Sequence, residues 1–209
     1  MIYLFENIQN YSRKSLDHDI ASLPVAHRQR IQKYTNINRQ KLSTIGIKLL
    51  MYGLKHEYDC TDMPAWAYGK YGKPYFKVWE NIHFNISHCP DAVACALDIN
   101  PIGIDVQDTR RANKPQVWKR VCSSSELDEL TQANDPASLF TRFWSLKESY
   151  VKYTGEGIGQ DLKKLDFSNC QYSIFQKNNL NFSIIQRPAY ICAICSVQTL
   201  DKQNIIWIK

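Results

Sequence analysis

In "PIGIDVQD" (101–108), Ile102, Ile104 and Val106 alternate with Gly103, Asp105 and Gln107. That period of two predicts a strand with one apolar face and one face that presents an acid and an amide. Two more short strands precede it, "HFNISH" (83–88) and "AVACALDI" (92–99), separated by turns at Cys89-Pro90-Asp91 and Asn100-Pro101, so a meander is expected. Residues 2–8 read as a first strand, and residues 165–209 alternate like a further group of strands.

Helical periods fall between these runs. Pro24 opens a short basic helix, "PVAHRQRIQKY". Asn36 or Asn38 then caps a longer one with Leu42, Ile45, Leu49, Leu50 and Leu54 on one face. Gly46 and Gly53 lie on or beside that stripe and predict close packing against a sheet. Residues 67–76, "AYGKYGKPYF", read as a loop punctuated by Gly and Pro. Ser123 and Glu126 have the spacing of a capping box. A second long helix is expected over 138–154, ended by Gly155, Gly157 and Gly159.

A weak repeat relates the two halves. "HFNISHCPDAVACAL" (83–97) aligns without gaps on "NFSIIQRPAYICAIC" (181–195), pairing Phe84 with Phe182, Ile86 with Ile184 and Pro90 with Pro188. The two long helices are also about a hundred residues apart. Two similar α+β halves are therefore expected.

Charge changes this picture locally. Between Ile20 and His56 the chain has seven Lys or Arg and no Asp or Glu, against a net charge of +6 for all 209 residues. That segment is +7 and the remainder −1, so a polyanionic partner is implied: nucleic acid, phosphorylated small molecule, acidic protein or anionic membrane. No apolar run approaches the roughly 18–20 residues of a membrane span. With Glu6 in the apolar start and its bases only afterwards, the N-terminus lacks the order of a secretory signal, so a cytoplasmic protein is expected. The odd number of cysteines, seven, fits that compartment. Cys192 and Cys195 have C-x-x-C spacing within a strand pattern, where they point to opposite faces and pack as small hydrophobes.

The helix 138–154 has Phe140, Phe143, Trp144, Leu146, Tyr150 and Val151 as its apolar face and Thr141, Ser145, Glu148 and Lys152 as a polar line opposite. A solvated face is the simple reading of that line. The large aromatics beside it and the glycines after it, whose bare backbone lets a phosphate approach closely, argue for a site instead.

Taken together, "GKP" (72–74), "FNISH" (84–88), "GIDVQ" (103–107) and "WSLKESYVKYTGEG" (144–157) resemble the motifs of the 4'-phosphopantetheinyl transferases of the surfactin-synthetase-activating type. The resemblance covers residues 60–160 and, more loosely, the basic helices. It implies an α+β fold: a pseudo-twofold monomer of two similar α/β lobes, 1–101 and 102–209, each a small antiparallel sheet packed on a long helix. It also implies coenzyme A and Mg2+ between the lobes. Phosphopantetheine would pass to a serine of an apo acyl or peptidyl carrier protein, and 3',5'-ADP would leave.

Residue by residue, the resemblance makes Asp105 and Glu148 Mg2+ ligands, with Gln107 where the best-known members have a second strand carboxylate. Glu148 is also a candidate acceptor of the serine proton, and Lys152 a phosphate-contacting catalytic group. Lys73, Pro74, Ser87 and His88 match groups around the coenzyme A phosphates. Arg30 and His27 fall where the 3'-phosphate is bound. An arginine often found in the long N-terminal helix is replaced by Leu42, followed by Ser43, with Arg39 or Lys41 as possible substitutes. A basic patch after the metal strand, Arg110, Arg111, Lys114, Trp118, Lys119 and Arg120, is a candidate docking surface for an acidic carrier. Two other readings stand beside this one. A nucleic-acid-binding module leaves Asp105 and Glu148 without a use. A catalytically impaired coenzyme A-binding member would account for Gln107.

Overall fold

The computed structural model describes residues 1–111, 115–157 and 161–208. Strand β1 (Ile2–Glu6) is followed by helices α1 (Arg13–Ser22), α2 (Val25–Gln32) and α3 (Ile37–Tyr58). A hairpin of β2 (Trp66–Tyr68) and β3 (Pro74–Phe76) leads to β4 (His83–His88), β5 (Ala92–Asp98) and β6 (Ile102–Asp108). Helices α4 (Pro115–Val121), α5 (Ser124–Gln132) and α6 (Pro136–Thr154) come next, then β7 (Ile174–Lys177), β8 (Leu180–Gln186), β9 (Tyr190–Ser196) and β10 (Ile205–Ile208).

The caps explain the helix boundaries. Asn36 accepts from the backbone N–H of Asn38 and Arg39 and starts α3. Ser123 and Glu126 form the expected capping box on α5. Asp135 caps α6, whose first residue is Pro136, two residues before the expected start; Gly155 ends it at φ 73°. The segment 67–76, expected as a loop, instead contributes both strands of the β2–β3 hairpin. Its strands are three residues each, too short for an alternating pattern to register.

The repeat is real at the level of register. One sheet has the order β10-β1-β5-β4 and the other β6-β9-β8-β7, so β1-β5-β4 corresponds to β6-β9-β8. Phe84 opposes Leu97 and Ile86 opposes Cys95; Phe182 opposes Cys195 and Ile184 opposes Ala193. Every partner is displaced by the same offset. By the same correspondence Asp105, opposite Ala193, takes the place that Tyr3, opposite Cys95, has in the first sheet. Strand β10 lies parallel to β1, so the end of the chain completes the sheet built by its beginning.

The inner faces of the sheets share one core. Ile2, Leu4, Ala92, Ala94 and Ala96 meet Ile102, Ile104, Val106, Cys192 and Ile194. Burying such side chains contributes roughly 1.5–3 kcal/mol for each large one, and the alanines of β5 let the sheets approach closely. Helix α3 covers the outer face of the first sheet and α6 that of the second. A Cβ on Gly53 would sit 2.6 Å from the Tyr3 ring, and one on Gly46 3.0 Å from Ile86, which is the close packing those glycines predict. Cys192 and Cys195 are buried in different clusters on opposite faces of β9, and all seven cysteines are free.

Candidate active site

The site forms at β6, the edge strand of its sheet, which among the described residues has no strand partner on one side. The N–H groups of Ile104 and Val106 there donate to Asn85 Oδ1 and Ser87 Oγ of β4, both at 3.0 Å. Side chains from one sheet thus satisfy edge donors of the other, which would otherwise be costly buried orphans.

Asp105 emerges on the outer face of β6 beneath α6 and is 1% exposed. Its Oδ1 accepts from Lys152 Nζ at 2.6 Å and from Ser87 Oγ at 3.2 Å, and its Oδ2 accepts from Gln107 Nε2 at 2.9 Å. Lys152 Nζ also donates to Ser87 Oγ at 2.9 Å. The Ser87 hydroxyl therefore gives its one proton to Asp105 and accepts from Val106 and Lys152. Gly103 permits this assembly. A Cβ there would lie 2.0 Å from the Ser149 carbonyl oxygen and 2.4 Å from the Tyr153 nitrogen, so only glycine lets the α6 backbone rest on β6.

The polar line of α6 faces inward rather than to solvent: Thr141, Ser145 and Glu148 are buried. Among the described residues, Ser145 Oγ and Glu148 Oε1 have no hydrogen-bond partner. Burial, then the nearby Asp105 charge, raises the Glu148 pKa, with Lys152 opposing. His88 ends β4 with an exposed side chain. Partial desolvation by its surroundings, then the Lys152 charge, lowers its pKa, and Arg39 adds to the positive field around it.

Other expected residues lie further along the first lobe. His27 is edge-on to Trp66 at 4.5 Å between ring centroids. Arg30 lies over the same indole and donates to the Tyr68 hydroxyl at 2.7 Å, while its buried Nε has no partner among the described residues. The three residues line an open cavity of ≈ 440 Å3 with Pro24, Met63 and Tyr68. Pro74 pairs with Tyr68 across the hairpin, and Ser43 is half-buried on α3. Arg39 stacks on Tyr34 at 4.2 Å, and Lys41 reaches the Ile8 carbonyl.

Lys73, expected beside the coenzyme A phosphates, is held here by backbone carbonyls. Its ammonium donates to the Tyr153 carbonyl at 2.8 Å and the Ile102 carbonyl at 3.3 Å, and burial lowers its pKa to about 8. Gly155 and Gly157 make room for the Lys73 and Tyr71 side chains rather than leaving bare backbone; Gly159 lies outside the described residues. In the basic patch, Arg110 is held by Asp91 and Asp108, and Trp118 packs on Phe140 at 5.9 Å. Lys119 and Arg120 are exposed on α4, whereas Lys114 and the side chain of Arg111 lie outside the described residues.

Two residues in this region carry roles that sequence reasoning missed. Asn85 shows a signal in retrospect, a polar side chain alternating with Phe84 and Ile86 in a strand that reads as buried. Lys147, fully buried on the far side of α6, shows none.

The model of the 4'-phosphopantetheinyl transferase superfamily matches residues 101–205, which include β6 and α6. The 4'-phosphopantetheinyl transferase Sfp of Bacillus subtilis (strain 168) is 37% identical over 164 residues, 74% of this chain and 72% of that protein. This chain belongs to the 4'-phosphopantetheinyl transferase superfamily. Within it, a second 4'-phosphopantetheinyl transferase of Bacillus subtilis is 30% identical over 70% of this chain and 66% of its own length. The 4'-phosphopantetheinyl transferase gsp of Aneurinibacillus migulanus is 27% identical over 81% and 74%. The chain thus spans about two thirds to three quarters of these relatives' lengths. Among solved structures, holo-[acyl-carrier-protein] synthase of Thermotoga maritima overlaps 46% of this chain and 61% of its own at 16% identity and a TM-score of 0.35, too loosely to bear on the fold.

Proposed function

We propose that this phosphopantetheinyl transferase moves 4'-phosphopantetheine from coenzyme A to a serine of an apo acyl or peptidyl carrier protein. The serine oxygen bonds to the phosphorus next to the pantetheine arm, the pyrophosphate bond breaks, 3',5'-ADP leaves and the serine proton goes to a base. The observation that carries this reading is the meeting of Asp105, Glu148, Lys152 and Ser87 at one strand edge, with the buried Glu148 Oε1 lacking a partner among the described residues. Such a transfer needs positioning and charge neutralisation more than covalent chemistry.

The donor set fits Mg2+. It offers hard oxygens of Asp105 and Glu148, with the Gln107 amide oxygen as a third once that amide turns from Asp105, and a divalent ion there would neutralise phosphate charge. Lys152 serves a phosphate oxygen. Glu148, its pKa raised by burial, is suited to take the serine proton. The cavity of His27 and Arg30, with its unpartnered guanidinium nitrogen, supports a seat for the nucleotide's 3'-phosphate. Ser87 and His88 face the pyrophosphate. The exposed cations of α4 meet the acidic carrier. The protein acts as a cytoplasmic monomer of two lobes, 1–101 and 102–209, with β10 of the second segment completing the sheet of the first. Among the described residues no helix is long and apolar enough to cross a membrane.

Intact mass spectrometry of apo carriers incubated with the protein, coenzyme A and Mg2+ tests the reading. Phosphopantetheine adducts are expected from the wild type and none from folded Asp105→Ala or Glu148→Ala. Full transfer without Asp105 would refute the site, and no adduct on any carrier would refute the function.

A further inference from the structure

We infer that Lys152 and Gln107 cover Asp105 in the ligand-free protein, so that a divalent cation binds weakly until the pyrophosphate of coenzyme A draws Lys152 away. The inference rests on the functional reading above and adds an order of assembly to it.

Both oxygens of Asp105 are in use: Oδ1 by the Lys152 ammonium and the Ser87 hydroxyl, Oδ2 by the Gln107 amide. A buried carboxylate needs such partners, because a bare charge in this position is heavily penalised. A cation entering alone would have to displace an ammonium at 2.6 Å and an amide at 2.9 Å, and would leave Lys152 beside it without its counter-ion. Among the described residues, no three His, Cys, Asp or Glu side chains gather into a ready metal cluster. Asp105, Glu148 and Lys152 together carry one net negative charge. A pyrophosphate changes the balance by giving Lys152 an alternative anion, which frees Oδ1 and brings oxygen ligands of its own, the kind of mixed protein–phosphate shell that Mg2+ accepts.

Ser87 is suited to be the pivot, since its hydroxyl touches both Lys152 and Asp105. Gln107 completes the cover. Its amide donates to Asp105, whereas a carboxylate in its place would repel Asp105 and attract a cation.

The experiment uses Mn2+ as probe, with its free-ion electron paramagnetic resonance signal read during titration of the protein alone and with saturating coenzyme A. A titration of coenzyme A without protein corrects for Mn2+ held by the nucleotide itself. Mn2+ is expected to bind about tenfold or more tightly in the presence of coenzyme A, and linkage requires calorimetry to show Mn2+ tightening coenzyme A by the same factor. In ligand-free protein, Gln107→Glu and Lys152→Met should each strengthen Mn2+ binding and shrink that gain. Equal Mn2+ affinity with and without bound coenzyme A would overturn the inference and leave the transferase reading standing. Failure of coenzyme A to bind at all would overturn the transferase reading and the inference with it. An absent gain in the wild type overturns the inference whether or not either variant folds, and an unchanged gain in folded Gln107→Glu or Lys152→Met would overturn the cover itself.

Discussion

Lys73 ties the β2–β3 turn to the start of β6 and the last turn of α6 through the carbonyls of Ile102 and Tyr153, 29 and 80 residues away in the chain. Burial lowers its pKa from 10.5 to about 8. In that window the folded chain releases a proton that the unfolded chain keeps, so the unfolded state binds more protons and stability rises with pH. A neutral amine still has two hydrogens for the two carbonyls, so the strut survives deprotonation. The stability advantage of wild type over Lys73→Met should therefore grow from pH 7.5 to pH 10, measured as the difference in urea midpoint. An advantage that stays flat or falls over that range would show that the Lys73 ammonium is not buried in this way. At this scale the sequence is legible where local periods set faces: period two puts Asp105 opposite Ile104, and the helical period puts Glu148 and Lys152 on one line. The partners of Lys73 are long-range and follow no period, so they were out of reach.

Helix α6 is fixed on its far side by a buried ion pair. Lys147 and Glu126 are both 0% exposed and 2.8 Å apart. Lys147 also donates to the carbonyls of Leu162 and Leu165, while Glu126 accepts from the backbone of Ser123 at 2.8 Å and Phe167 at 2.8 Å. The capping box was readable from Ser123 and Glu126; that its carboxylate also holds α6 was not, because a lysine between Leu146 and Glu148 looks like any solvated one. Lys147→Met should cost about 3–5 kcal/mol, the usual penalty for stranding one buried charge. Adding Glu126→Leu should recover little, since two backbone N–H groups and two carbonyls then lose their partners. A urea-denaturation double-mutant cycle checks this, and recovery of near-wild-type stability would show that the pair is dispensable. Elements also escaped the sequence where their apolar signal was thin. Helix α1 buries only Leu16 and Ile20, and β2 and β3 are three residues each.

The two sheets are joined by little main chain and much side chain. Their repeat was visible as "HFNISH" and "NFSIIQ", yet nothing local signalled that β10 returns to lie parallel to β1 or that Asn85 and Ser87 stitch β4 to β6. These connections predict that the lobes unfold together. Trp66 and Trp79 belong to the core under α3, and Trp118 and Trp144 to the core around α6, so tryptophan fluorescence samples both while far-ultraviolet circular dichroism follows the whole chain. The two signals should coincide in a single urea transition. Asn85→Leu removes the acceptor for the Ile104 N–H, at a cost of about 1–3 kcal/mol for the stranded donor. Because the donor belongs to one sheet and the acceptor to the other, that loss should lower the midpoint of both signals equally. If instead the variant splits fluorescence from circular dichroism, the lobes are separable folding units, and the strand edge that carries Asp105 is held by its own sheet alone.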